Sequence, residues 1–245
     1  STDGVGNAIK LIQNGKADVI IAGGVEQISL DLYMIFYMRK MLAKANGTGN
    51  EISMPFDKRR SGFIMSEGSY VFVLEGHDYA VSRGARIYGE VSGYGSIFAG
   101  GRNSDTGKRV EKAGNAMKKC IDDAGMSTDD IDLINANGNS GKLPDLIEAK
   151  AIKELFGEES KEIPVHTVKS ALGESYGASG AMQTASALLS INNGLVPPTI
   201  NYEEKDPECN LNIVNERLEK EVNTVLINSF DLSGNNSCLI VKKHE

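Results

Sequence analysis

Tryptophan is absent from the 245 residues, and histidine and cysteine are scarce at three each. Cys120, Cys209 and Cys238 are far apart, odd in number and form no CxxC pair, so neither a disulfide framework nor a cysteine zinc site is expected, and a reducing cytoplasm fits best. His77, His166 and His244 are equally scattered, with no HExxH or comparable metal spacing, so no metal and no cofactor are expected. No apolar run approaches the roughly 18 residues of a membrane span, and the opening Ser-Thr-Asp-Gly-Val-Gly has neither the basic nor the apolar region of a signal peptide. Positive charge is short as well. The 26 lysines and arginines against 33 acidic residues leave a net charge of −7, which argues against nucleic acid as the main partner.

Hydrophobic residues at 40% and charged residues at 24% are ordinary for a globular protein, and the length allows one large or two modest domains. The spacing of Val5, Ala8, Ile9 and Ile12 predicts a first helix, stopped at Gly15. Residues 17–22 read as a strand whose continuous Val19-Ile20-Ile21 run suits a sheet covered on both faces. Residues 30–42 read as a helix rich in methionine and aromatics, most simply core or subunit interface. Strands are expected over 69–75, 86–95, 131–134, 164–167, 222–227 and 238–241. Helices are expected over 78–83, from Val110 to Gly125 with Ala113, Met117 and Cys120 on one apolar stripe, over 145–156, and from the glycine-rich turn at 173–180 through Ile191. Cys120 on that stripe reads as packing rather than as a nucleophile. Strand and helix alternate, which makes the fold α/β with a mainly parallel core.

Ligands in such folds collect at the carboxyl ends of strands. Three loops there, 135–140, 169–180 and 229–236, are rich in glycine and small polar residues. Each alone is no more than a tight turn, but together with further motifs they form an ordered set. Pro55-Phe56-Asp57 with Arg60 precedes Gly62-Phe63-Ile64-Met65-Ser66-Glu67-Gly68. Asp123-Ala124-Gly125 leads to Asp130-Ile131-Asp132, and Asp145 and Glu148 follow the first loop. Val168-Lys169-Ser170 is followed by Gly173, Gly177, Ala178 and Gly180, and Asn228-Ser229-Phe230 by Gly234-Asn235-Asn236. Over residues 3–241 this set resembles the β-ketoacyl synthase branch of the thiolase superfamily. The resemblance implies a layered αβαβα fold of which the chain is the C-terminal portion: residues 1–85 the remainder of the N-terminal ketosynthase-like half, residues 86–245 the C-terminal half.

The chain departs from that family where chemistry is done. The first catalytic histidine of active members sits in an Asn-Ala-His-Gly loop, and here the loop reads Asn135-Ala136-Asn137-Gly138. The second follows the glycine of the lysine–serine loop, and here Gly173 is followed by Glu174. The neighbours Lys169 and Glu148 are retained, with Lys169 a candidate ion-pair partner of Glu174. In the closing gate loop, Phe230 is followed by Asp231-Leu232-Ser233 and Gly234 where Gly-Phe-Gly would stand. An asparagine donates a hydrogen bond but exchanges no proton near neutral pH, and a carboxylate puts negative charge where an enolate and an oxyanion must develop.

No catalytic residue is therefore expected. The pattern resembles the chain-length factor, or ketosynthase-β subunit, of type II polyketide synthases. That implies a non-catalytic cytoplasmic subunit that pairs as a heterodimer with an active ketosynthase, meets an acyl carrier protein and helps shape the polyketide tunnel. Met34, Phe36, Tyr37 and Met38 are candidate interface or tunnel residues, with core packing the simpler reading of each. Two alternatives stay open: an active but divergent β-ketoacyl synthase carrying out decarboxylative Claisen condensation, and a non-catalytic acyl-binding scaffold. The resemblance also puts Ser1 at or just after the strand-to-helix elbow of the nucleophile. Ser1 is therefore a candidate cleavage-site residue, with the upstream portion of the polypeptide as a further partner; a chain start without mechanistic meaning is the simpler alternative.

Overall fold

The structure, a computed structural model, describes residues 1–45, 49–100 and 105–244. Its centre is a five-stranded sheet built from β3 (Glu90–Phe98), β4 (Leu133–Asn135), β5 (Val165–His166), β8 (Thr224–Phe230) and β9 (Asn235–Lys242). The strand order is β3-β9-β8-β4-β5. Side chains alternate between its two faces. Ile134, Leu226, Cys238 and Ile240 pack beneath α4 (Thr106–Asp123) and α5 (Lys142–Phe156), whereas Leu133, Val225, Ile227, Leu239 and Val241 pack against α1 (Thr2–Gln13) and α7 (Ser179–Asn193). Burial on both faces makes this sheet the core of the molecule.

Beyond α1 and α7 lies a second sheet of two antiparallel strands, β1 (Val19–Glu26) and β2 (Gly68–Glu75). The inner residues Ala22, Phe72 and Leu74 pack on the cluster around α1 and α7. The successive layers are thus α4 with α5, the large sheet, α1 with α7, and the β1–β2 ribbon. Helix α2 (Leu30–Met38) starts on Ser29, whose Oγ accepts from the Leu32 N–H. The remaining elements are short: α3 (His77–Ser82), α6 (Lys169–Leu172), and the pair β6 (Leu195–Val196) and β7 (Leu218–Glu219).

Tight contacts hold the layers in register. A Cβ on Gly95 would stand 2.4 Å from the Ala116 carbonyl oxygen and 2.6 Å from the Cys120 nitrogen, so β3 and α4 touch backbone to backbone only because Gly95 has no side chain. Gly194 closes α7 in the left-handed conformation that its place after the helix predicts.

Several expectations are corrected. The sheet is mixed, not mainly parallel: β3–β9 and β9–β8 are antiparallel, and only β8–β4 and β4–β5 are parallel. Strand direction follows from connections, which a strand's own residues do not encode. The strand at 17–22 runs as β1, and within this chain only one of its faces is covered, with Ile21 72% and Val25 70% exposed. A continuous apolar run reports affinity for burial, not which face this chain covers. Helix α2 ends at Met38; Phe36 joins a buried apolar cluster with Leu42, Phe63 and Met65, whereas Met34, Tyr37 and Met38 are exposed on this chain. Residues 229–236 are strand apart from the turn at 231–234, with Ser229 and Asn235 held by side-chain partners. No helix among the described residues is long and apolar enough to cross a membrane.

His166, on β5, is completely buried and neither ring nitrogen has a partner in hydrogen-bonding geometry. Burial pushes its pKa down to about 4; the Pro197 carbonyl opposes this only in part. A buried base with a depressed pKa contributes stability that is present above the unfolded value near 6.5 and is lost as pH falls toward 4. From pH 7 to 4.5 this one group is expected to remove about 2–3 kcal/mol of stability. Urea unfolding of the parent and of His166→Leu at both pH values checks it: the variant should lose that much less.

Candidate functional site

The loops after β4, around α6 and between β8 and β9 meet at one cleft of about 450 Å³, bordered by Phe36 of α2 and by Arg39 just past its end. At its base sits the Lys169 ammonium, almost wholly buried, donating to Asn137 Oδ1 at 2.8 Å and to Glu174 Oε2 at 2.8 Å. Asn137 Oδ1 also accepts from the Phe230 N–H at 3.2 Å. Two N–H donors on one atom fix the amide's orientation, with oxygen toward the lysine. Glu174 is filled on its other oxygen by the Tyr176 N–H at 3.1 Å and by the Ser179 hydroxyl. Its backbone is fixed too: the Glu174 N–H donates to the Ile64 carbonyl at 2.8 Å, and its own carbonyl accepts from the Ser66 N–H at 3.0 Å. Thus 137, 169, 174 and 230 form one hydrogen-bonded unit.

Glu148, on α5, lies behind that unit. Its carboxylate accepts from the backbone N–H groups of Asn137 and Gly138, each at 2.8 Å, and from Asn228 Nδ2 at 3.0 Å. Burial raises its pKa, while those donors and the Lys169 charge pull the other way. Asp145 acts one turn earlier, accepting from the Asn139 N–H at 3.1 Å and the Phe56 N–H at 2.8 Å. Complete burial lifts its pKa to about 7 despite the Phe56 N–H and the Arg60 guanidinium, 3.7 Å away. Both carboxyl groups are spent on the backbone of the loops that frame the cleft.

The segment 230–234 is a tight hairpin turn. Asp231 closes it: its N–H donates to the Asn235 carbonyl at 2.8 Å, its side chain accepts from the Ser233 and Gly234 N–H groups, and Gly234 has φ +103°. Leu232 packs on the cluster of Phe36 and Phe63 at the mouth of the cleft, where Phe36 stacks on Tyr176 at 4.6 Å between centroids. Ser1 lies on the opposite wall, its Oγ accepting from the Ala181 N–H at 3.0 Å.

Sequence reasoning missed the wall beside Ser1. Thr2 donates to Ser229 Oγ at 2.7 Å, and the Asp3 carboxylate collects the Tyr94 hydroxyl at 2.7 Å, Asn235 Nδ2 at 2.8 Å and the Ser237 hydroxyl. Those donors hold the Asp3 pKa below its ordinary value, although burial works against them. The available signal was one of type: Ser229 and Ser237 are polar residues adjoining the apolar strand runs of β8 and β9.

The cleft is poor in reactive groups. Among the described residues its lining includes no histidine and no cysteine. All three cysteines are buried with raised pKa values, Cys209 to about 12. The Lys169 ammonium is committed to two acceptors. The site can hold a molecule by shape and by hydroxyl and amide hydrogen bonds, and the Lys169 ammonium and Glu174 carboxylate that line it are already paired with each other.

The family model "Beta-ketoacyl synthase, N-terminal domain" matches residues 1–80, and "Beta-ketoacyl synthase, C-terminal domain" matches residues 88–203. The chain is 36% identical over 245 residues to a "3-oxoacyl-[acyl-carrier-protein] synthase 2" of Staphylococcus aureus (strain COL), covering 100% of itself and 59% of that protein. It is 36% identical over 241 residues to the protein of the same name in Coxiella burnetii (strain RSA 493 / Nine Mile phase I), covering 98% and 58%. The chain therefore spans about 59% of the length of the curated relatives it matches. Among solved structures, "The ishigamide ketosynthase/chain length factor" superposes with a TM-score of 0.92 at 33% identity, covering 100% of this chain and 58% of that one. A beta-ketoacyl synthase from Burkholderia phymatum STM815 gives 0.93 at 28%, covering 100% and 59%. Another, a type II PKS acyl-carrier protein in complex with its ketosynthase bound to the hexaketide, gives 0.93 at 28%, covering 99% and 60%. The fold is thiolase-like.

Removing one partner of a buried ion pair leaves the other charge stranded, at a cost of about 3–5 kcal/mol. Lys169→Met and Glu174→Gln are each expected to destabilise on that scale. The double variant should recover more than ~1 kcal/mol of their sum. Chemical denaturation of all four proteins measures it, and additive losses would show that the pair is not coupled.

Proposed function

The chain belongs to the β-ketoacyl synthase family, and from that premise we propose that it acts as a non-catalytic, chain-length-factor-like subunit beside an active ketosynthase. The observation that carries the reading is the Lys169 unit. In the resembled family, histidines stand at the positions read as Asn137 and Glu174. A decarboxylative condensation needs donors for a developing enolate and oxyanion, and losing one such donor typically costs roughly 10²–10³ in rate. Here one position carries an amide whose oxygen faces Lys169. The other carries a carboxylate paired with the same lysine at 2.8 Å. The cleft walls then act as shape, with Phe36, Tyr176 and Leu232 packed together at the mouth.

The likeness to a ketosynthase/chain length factor structure supports this assignment, and with it a heterodimer as the working assembly. The neighbour with a bound acyl-carrier protein supports such a carrier as a further partner. The two family halves are proposed to join near residues 85 and 86, between α3 and β3. The second reading, an active but divergent synthase, draws on the 36% identity to 3-oxoacyl-[acyl-carrier-protein] synthase 2 proteins.

One experiment separates the two. The purified full-length protein, given malonyl- and acyl-loaded carrier protein, is expected to form no condensation product by itself. Co-purified with a histidine-complete ketosynthase, it should yield elongated products, and Leu232→Ala should alter their length. Condensation by the protein alone would overturn the proposal in favour of the divergent synthase.

A further inference from the structure

Two of the three histidines, far apart in the sequence, meet at the surface and outside the lining of the cleft. His77 opens α3, Glu90 opens β3, and His244 follows β9. The imidazole centroids of His77 and His244 are 5.4 Å apart and tilted by 56°. One ligand atom from each of His77, Glu90 and His244 lies within 4.8 Å of the other two. The strands set much of this geometry. Glu90 pairs with Lys242 across the β3–β9 ladder, and His244 follows two residues later, just past the end of β9, where its Nδ1 meets Glu90 Oε1.

We propose that His77, Glu90 and His244 bind a divalent transition metal ion of the zinc class. Two imidazoles and a carboxylate are the donor set that Zn²⁺, Ni²⁺, Cu²⁺ and Co²⁺ favour over Ca²⁺ or Mg²⁺. The spacing is close to what coordination needs. His244 Nδ1 and Glu90 Oε1 are 2.9 Å apart, and two ligands on one tetrahedral zinc stand about 3.3 Å apart. A metal replacing the shared proton therefore requires a shift of only a few tenths of an ångström there. His77 must swing inward, and its exposure permits that. Its Nδ1 contacts the Asp78 carboxylate at 3.1 Å, which leaves Nε2 to face a metal. This is the outer carboxylate arrangement that commonly orients ligating histidines. The other Glu90 oxygen is held by Lys242 Nζ at 3.0 Å, which fixes the carboxylate and also places one opposing positive charge beside the site. The cluster is open to solvent, so water can complete the coordination. No other histidine or cysteine of the chain competes: His166, Cys120, Cys209 and Cys238 are all buried.

A bound ion would tie α3 to the edge where β3 and β9 meet, joining the ribbon side of the molecule to the large sheet. Metal-ligand spacing in the sequence is silent here because each donor comes from a different segment and only strand register brings two of them together.

The test titrates the full-length protein with Zn²⁺ against a chromophoric chelator and with Co²⁺ by absorption. One equivalent should bind at micromolar concentration or tighter and raise the melting temperature, and Mg²⁺ should not displace it. His77→Ala, His244→Ala and Glu90→Gln should each weaken binding by roughly 10-fold or more. Lys242→Ala should strengthen it, a result that mere disruption of the surface cannot give. Circular dichroism of the metal-free variants establishes that they fold. Either of two results overturns the proposal: no equivalent bound below about a millimolar, or binding that all three ligand variants leave unchanged.

Discussion

A single buried cation organises the cleft. An ammonium with no access to water requires acceptors supplied by the protein, and Lys169 draws them from two different loops: the amide oxygen of Asn137 and the carboxylate of Glu174. Through Asn137 it also fixes the β8–β9 hairpin, whose Phe230 N–H shares that oxygen. Through Glu174 it fixes the entry to α7, because the same carboxylate caps Tyr176 and Ser179. The loops at one end of the large sheet are therefore positioned relative to a charge rather than to an apolar core, and a change at any of the three residues is felt by the others.

Much of this was legible in the sequence where local chemistry decides it. The stripe from Val110 to Cys120 gave α4, Gly194 gave the end of α7, and the family resemblance, which sets the retained Lys169 near the altered position 174, made their pairing an expectation. What stayed hidden depends on three-dimensional neighbours. Ile21 and Val25 carry the composition of a buried strand yet face outward, since burial belongs to the partner surface and not to the strand. Met34, Tyr37 and Met38 on α2 show the same limit. Ser229, Asn235 and Ser237 read as loop because polar side chains imply solvent, whereas here Asp3, Thr2 and their neighbours satisfy them inside a hairpin. Asn137 could be seen as an altered position, but not as the second acceptor of Lys169, because that depends on β4 and α6 lying side by side.

The molecule thus separates a shared type of frame from the groups set within it. The large sheet and its helices superpose on ketosynthase structures with TM-scores above 0.9, while the cleft they enclose has neither imidazole nor thiol in its lining among the described residues. The same frame offers its exposed imidazoles elsewhere, at the β3–β9 edge.

Glu148 bears on how such a separation can arise. Its two oxygens take the N–H groups of Asn137 and Gly138 from behind, so the path of that loop is set by α5 and not by whatever side chain projects from position 137. The loop is a socket moulded at its back. Swapping the occupant at its front changes the side chain presented to the cleft while the backbone that carries it stays held from behind by α5.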